Sequence, residues 1–278
     1  MEFLLSNFKT ILIFAIVAIV VFSLFLFLKS KRRRKRLGFY INFFLYKIGV
    51  KDHMSRSVVA RVHVKECYEP LVNLVEHNKI IIDETTIEQP VLLRKNVALK
   101  IYKVASKLPD DVFLKVYNTY RSRITIYNKW KDVVDEISKE NPNMGRAEVL
   151  KLANFRLDNP KSLGGHETGG AVDVALCDAK GKEFDYGTKY HEKSPANKTK
   201  SGHILKEHKI NRKTLLKAMK SQGFVNNPKE WWHFSYGDTL WAAYRGKRFG
   251  AIYDAAEKDF ENVGYVRIVK TNISAVNK

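Results

Sequence analysis

Asp173 stands in the apolar run Ala171-Val172-Asp173-Val174-Ala175-Leu176-Cys177. Burying an unpaired carboxylate is costly or forces it to take up a proton, so something cationic must face it. His166 comes seven residues earlier, inside the glycine-rich turn Gly164-Gly165-His166-Glu167-Thr168-Gly169-Gly170. Imidazole and carboxylate are two of zinc's usual ligand types, and a metal ion answers the charge that Asp173 presents. Alternation puts Cys177 on the Asp173 face, but about 13 Å away along a strand that rises roughly 3.3 Å per residue, too far to share the ion.

A second group is Glu230-Trp231-Trp232-His233-Phe234, a charged pair among bulky apolar residues. His233 can supply a third ligand, and Glu230 a base that takes a proton from water activated by the metal. Residues three apart point to opposite faces of an ideal strand, so this pairing requires a bulge or bend just after Pro228. Arg121, beside Tyr120 at the end of an expected strand, can polarise a carbonyl and stabilise an oxyanion. His53, His63, His77, His203 and His208 sit in polar or lysine-rich surroundings without a partner at ligand spacing.

Helical spacing predicts a helix over 96–107, and a strand over 112–117 leads to Arg121. Helices are expected near 124–139 and 146–155, a strand over 171–177, and a helix capped by Asn211 and stopped at Gly223. Strands are expected over 230–236 and 263–270. Helices and strands do not alternate as βαβ units, so the expected class is α+β with a small antiparallel sheet and packed helices. Two cysteines, Cys67 and Cys177, exclude a disulfide-stapled scaffold.

Residues 11–28 read ILIFAIVAIVVFSLFLFL, without a charge. A helix of that length, on the order of 27 Å, approaches the hydrocarbon thickness of about 30 Å, so a retained transmembrane helix is expected. Lys29, Lys31, Arg32, Arg33, Arg34, Lys35 and Arg36 follow it. Basic flanks stay on the cytoplasmic side, which makes the expectation a single-pass cell-membrane protein with a cytoplasmic catalytic domain and lipid headgroups as a partner. Residues 37–50 suit an interfacial helix. The expected organisation is a tail (1–10), a transmembrane helix (11–28), a basic and aromatic juxtamembrane segment (29–54) and one peptidase domain (55–278). The net charge of +20 invites nucleic acid. Eight of those charges lie in the first fifty residues, however, and no reader motif is present, so no nucleic-acid partner is expected.

Val116-Tyr117-Asn118-Thr119-Tyr120-Arg121, the His166 to Asp173 segment, and Glu230-Trp231-Trp232-His233-Phe234-Ser235-Tyr236-Gly237-Asp238 together resemble the zinc D-alanyl-D-alanine dipeptidases of the vancomycin-resistance type. More broadly they resemble the zinc D,D-carboxypeptidases and the hedgehog signalling domain. The resemblance covers roughly residues 95 to 253. It implies an α+β fold with a sheet as the floor of a confined cavity, and one zinc per chain on His166, Asp173 and His233. It also implies Glu230 as catalytic base and Arg121 as transition-state stabiliser. Tyr120, His191, Glu192 and Trp232 are the expected substrate contacts. Where these dipeptidases tend to have Phe followed by Asp to meet the substrate ammonium, this chain has Tyr190 and His191, with Glu192 adjacent. The expected activity is zinc-dependent hydrolysis of D-alanyl-D-alanine or a similar D,D-dipeptide. The alternative is a D,D- or L,D-peptidase acting on peptidoglycan stem peptides. A metal-retaining binding module without turnover is disfavoured, because it has no chemical need for Glu230 and Arg121.

Overall fold

The computed structural model describes residues 29–86, 90–156, 164–192 and 194–256. The chain divides into two compact units, Met1–Met54 and Ser55–Lys278. In the first, helix α1 (Lys31–Lys47) is capped by Ser30, whose Oγ accepts from the Arg33 amide at 3.4 Å. Among the described residues, no helix is long and apolar enough to cross a membrane. This corrects the expected architecture of a peptidase domain preceded by a transmembrane helix. The stretch 11–28 on which that expectation stood lies outside the described residues. Helix α1, the one described beside it, opens with Lys31 to Arg36, six consecutive cations that hydrocarbon does not accommodate. The lipid partner and the single-pass, cytoplasm-facing location lose their structural basis with it.

The second unit is α+β. It contains α2 (Arg56–Val59), β1 (Leu71–Asn73), β2 (Ile80–Ile82), β3 (Leu92–Arg94), α3 (Lys95–Ala105) and β4 (Phe113–Asn118). There follow α4 (Arg123–Glu140), α5 (Arg146–Arg156), β5 (Ala171–Cys177), α6 (Lys206–Ser221), β6 (Val225–Asn226), β7 (His233–Ser235) and α7 (Thr239–Tyr244). Five strands form one sheet in the order β2-β4-β5-β7-β6, and β1 pairs with β3 in a separate ribbon. The sheet is mixed rather than wholly antiparallel, because β2 and β4 run parallel. The connection between them carries β3 and α3, which is long enough to return the chain in the same direction.

Strand β5 is central, and all seven of its residues are buried. Val172, Val174 and Leu176 join Ile101, Leu215 and Met219 in the main core, and each such side chain contributes about 1.5–3 kcal/mol. Alternation leaves Asp173 on the opposite face. Helix α3 turns Val97, Ile101, Val104 and Ala105 inward, as the 3.6-residue period requires. Between β4 and β5 stands a helical hairpin of α4 and α5 with a small core of its own, Val134, Ile137, Val149 and Ala153. Ser122 caps α4 by accepting from the Thr125 amide at 3.1 Å. Helix α6 begins five residues before Asn211, so that residue is not its cap. The strand expected over 230–236 contracts to His233–Ser235, and the one expected over 263–270 lies outside the described residues.

Candidate metal centre

Three neighbouring strands bring one polar row together. The antiparallel registers place Asn118 opposite Asp173 and Asp173 opposite His233. A register shift in β4 between Val116 and Asn118 creates the first of these pairings, as a bulge re-aims a side chain. His166 enters from a single 3-10 turn, His166–Thr168, just before β5. That turn closes at Gly169 with φ +68, a conformation that strains any residue with a Cβ, and an added Cβ there would press on Leu71 Cδ2.

The two imidazoles converge on one oxygen. His233 Nδ1 lies 3.0 Å and His166 Nε2 3.3 Å from Asp173 Oδ1. Ligand atoms of the three residues lie within 4.8 Å of one another. Each ring is held from behind. His166 Nδ1 donates to the Thr119 carbonyl at 2.7 Å, which turns Nε2 toward Asp173 with Asn118 Nδ2 also 3.3 Å from it, and His233 Nε2 lies 3.3 Å from Ser235 Oγ. The other carboxylate oxygen, Asp173 Oδ2, accepts from Tyr190 Oη at 3.0 Å and from Asn118 Nδ2 at 3.2 Å. Two imidazole nitrogens and one carboxylate oxygen, converging on a buried point with their rings pre-oriented, fit a single zinc ion.

The charges of the metal-free chain agree. Burial pushes the Asp173 carboxyl upward, but the charge of His166 and hydrogen bonds from both histidines overcome it and hold the group well below the usual range. Burial would lower His233, yet its hydrogen bond to Asp173, with the charges of Asp173, Glu230 and Asp238, carries it up to about 9.

Of the bulge or bend expected just after Pro228, the chain uses the bend: Glu230 reaches the cluster on a turn. Its amide donates to the Asn227 carbonyl at 3.0 Å, and the His233 amide donates back to the Glu230 carbonyl at 3.3 Å. Asn226 Nδ2 pins this turn through the Glu230 and His233 carbonyls, each at 3.0 Å. As a result Glu230 Oε2 lies 4.0 Å from His233 Nδ1, and it accepts from Asn227 Nδ2 at 2.8 Å. Arg121 follows β4, and its amide lies 3.3 Å from the His166 carbonyl. Its positive charge is felt at both Tyr190 and His191.

The remaining expected contacts are spread more widely. Trp232 is buried next to His233, with its ring edge-on to Tyr190 at 5.5 Å and near-parallel to His191 at 5.9 Å. His191 is exposed at φ +56. Desolvation against its neighbours lowers its pKa, Asp173 opposes that, and Arg121 adds to it. Glu192 Oε2 accepts from the Lys189 amide at 3.0 Å, which ties it to its own turn. Tyr120 packs against Leu71, Leu92 and Ala256. Asn118, Tyr190 and Ser235 were not singled out from sequence. Asn118 carries one signal in the sequence, a polar residue ending an apolar strand, and Tyr190 another, a hydroxyl-bearing ring where the resembling dipeptidases tend to have Phe.

A family model described as D-ala-D-ala dipeptidase matches residues 53–252. A D-alanyl-D-alanine dipeptidase from Synechocystis is 33% identical over 106 residues, 34% of this chain and 43% of that protein. The chain therefore matches less than half the length of that curated relative. Among solved structures, a zinc complex of the vancomycin-resistance D,D-pentapeptidase VanY aligns at 14% identity, covering 67% of this chain and 92% of that one, with TM-score 0.36. VanYB in complex with D-alanine-D-alanine aligns at 12% identity over 72% and 97%, also with TM-score 0.36. With the family model spanning well over half of its residues and both histidines and the aspartate assembled, the chain belongs to the D-Ala-D-Ala dipeptidase family of zinc metallopeptidases.

Proposed function

We propose that this chain hydrolyses D-alanyl-D-alanine or a close D,D-dipeptide, with His166, Asp173 and His233 as zinc ligands, Glu230 as base and Arg121 as oxyanion partner. The observation that carries the reading is the convergence of both imidazoles on Asp173 Oδ1 with Glu230 Oε2 4.0 Å from His233 Nδ1. Zinc at such a donor set supplies Lewis acidity and brings the ionisation of water to a pKa of about 7. Glu230 takes the proton that water loses and delivers it to the departing amine nitrogen as the amide bond breaks. Arg121, beside the His166 turn, balances the negative charge that develops on the carbonyl oxygen. Trp232 forms an apolar wall next to His233.

One observation favours a second reading, a D,D- or L,D-carboxypeptidase acting on longer stem peptides. A free dipeptide brings an ammonium that needs a carboxylate partner, and Glu192 already spends Oε2 on the Lys189 amide. Release of D-alanine from D-Ala-D-Ala and from its N-acetyl derivative separates the two. Cleavage of the free dipeptide alone supports the dipeptidase, and preference for the acylated peptide supports the carboxypeptidase. Cleavage of neither by the zinc-loaded chain contradicts the dipeptidase and the D,D-carboxypeptidase alike.

A further inference from the structure

The two oxygens of Asp173 have different surroundings. Oδ1 faces both imidazoles, whereas Oδ2 accepts two hydrogen bonds, from Asn118 Nδ2 at 3.2 Å and Tyr190 Oη at 3.0 Å. A carboxylate can hold a metal through one oxygen or both, and two donors on Oδ2 engage the lone pairs that a second metal bond would use. Asn118 belongs to the neighbouring strand. Tyr190 instead arrives from the 187–192 loop, which also carries His191 and Glu192.

Packing explains the tyrosine ring but not its hydroxyl. The ring stacks on Tyr117 with centroids 4.2 Å apart and planes at 8°, and Trp232 meets it edge-on at 79°. Phenylalanine would make the same contacts. The hydroxyl adds a hydrogen bond to an ionised acceptor, which is stronger than a neutral one. It also fastens a loop in which the next residue, His191, is exposed and held in the left-handed region at φ +56.

We propose that Tyr190 is a positioning residue whose hydroxyl holds Asp173 Oδ2, restricts the carboxylate to ligation through Oδ1 alone and couples the 187–192 loop to the metal centre. The inference rests on the zinc assignment proposed above. Tyr190→Phe in the full chain removes only the hydroxyl. Its zinc dissociation constant, measured by competition with a chromophoric chelator, should rise about 10–100-fold. The visible absorption of the Co(II)-substituted protein should change in intensity and position as Asp173 recruits its second oxygen, a signature that a purely structural role would not move. X-ray absorption on the wild-type zinc protein, which does not depend on the variant folding, should find a single carboxylate oxygen. A wild type that binds one zinc while Tyr190→Phe keeps the same affinity and cobalt spectrum overturns the inference, as does two-oxygen ligation in the wild type. A wild type that takes up neither metal overturns the zinc assignment and the inference together.

Discussion

The metal cluster and the rim around it are built on different scaffolds. Asp173 and His233 lie on paired strands in fixed register, and every ligand is oriented by a further hydrogen bond. Arg121 instead follows the end of β4, with its amide bonded to the His166 carbonyl, and Glu230, His191 and Glu192 lie on turns or loops. Sheet register over-determines a position, whereas a turn can be re-aimed by one or two residues. Register therefore leaves Asp173 and His233 little room to change, whereas the residues proposed to meet the peptide lie on the parts most easily altered.

The largest effect should come from breaking the metal cluster itself. His166→Ala or His233→Ala should lose zinc and activity together, as metal analysis beside a peptidase assay would read. Glu230→Ala removes a rim residue and should keep zinc and fold while turnover falls by at least about a hundredfold, the range for lost general-base catalysis. Loss of zinc in that variant would make Glu230 part of the metal scaffold and erase the distinction. Gly169→Ala forces a side chain into a positive-φ position against Leu71. A cost of about 1–3 kcal/mol should appear as a lower melting temperature, with weaker zinc binding because the His166 turn must shift.

The charges of the cluster make its stability depend on pH. In the metal-free chain the folded pKa of His233, about 9, lies above its ordinary 6.5, so its pairing with Asp173 stabilises fully below 6.5 and is lost as pH rises through 9. Asp173, depressed well below 3.8, stays ionised across that window. The metal-free melting temperature should therefore decline from pH 6.5 to 9 on this account. The gain on adding zinc should grow over the same range, because the metal requires neutral imidazole. A zinc-induced gain that shrinks with rising pH would contradict His233 as a ligand. The smallest effect belongs to the outer rim. If a free dipeptide is the substrate and Glu192 meets its ammonium, Glu192→Gln should raise KM more than it lowers kcat. An unchanged KM would remove Glu192 from the substrate contacts.

The same division governs what could be read in advance. Strand Ala171–Cys177 was legible to the residue, because a carboxylate inside an apolar run demands both burial and a partner. His166, Asp173 and His233 could be named for the same reason. The route of Glu230 could not, since a tight turn and a bulged strand satisfy the same one-sided requirement. Strands β1, β2 and β3 are three residues each, too short to show alternation, and the parallel pairing of β2 with β4 depends on a crossover that no local pattern encodes. Tyr190 meets Asp173 from seventeen residues away and Asn118 from fifty-five, so their roles exist only in the folded chain. The apolar stretch 11–28 was the loudest local signal and lies outside the described residues.

Zinc held by His166, Asp173 and His233 should drive hydrolysis of a D,D-peptide bond. Zinc titrated into the dialysed full chain, with bound metal and D-alanine release from D-Ala-D-Ala and its N-acetyl derivative followed together, tests it most directly. Release from at least one peptide should rise in proportion to bound zinc and level off at one ion per chain. Hydrolysis at full rate without zinc, or one bound zinc with no hydrolysis of either peptide, would contradict it.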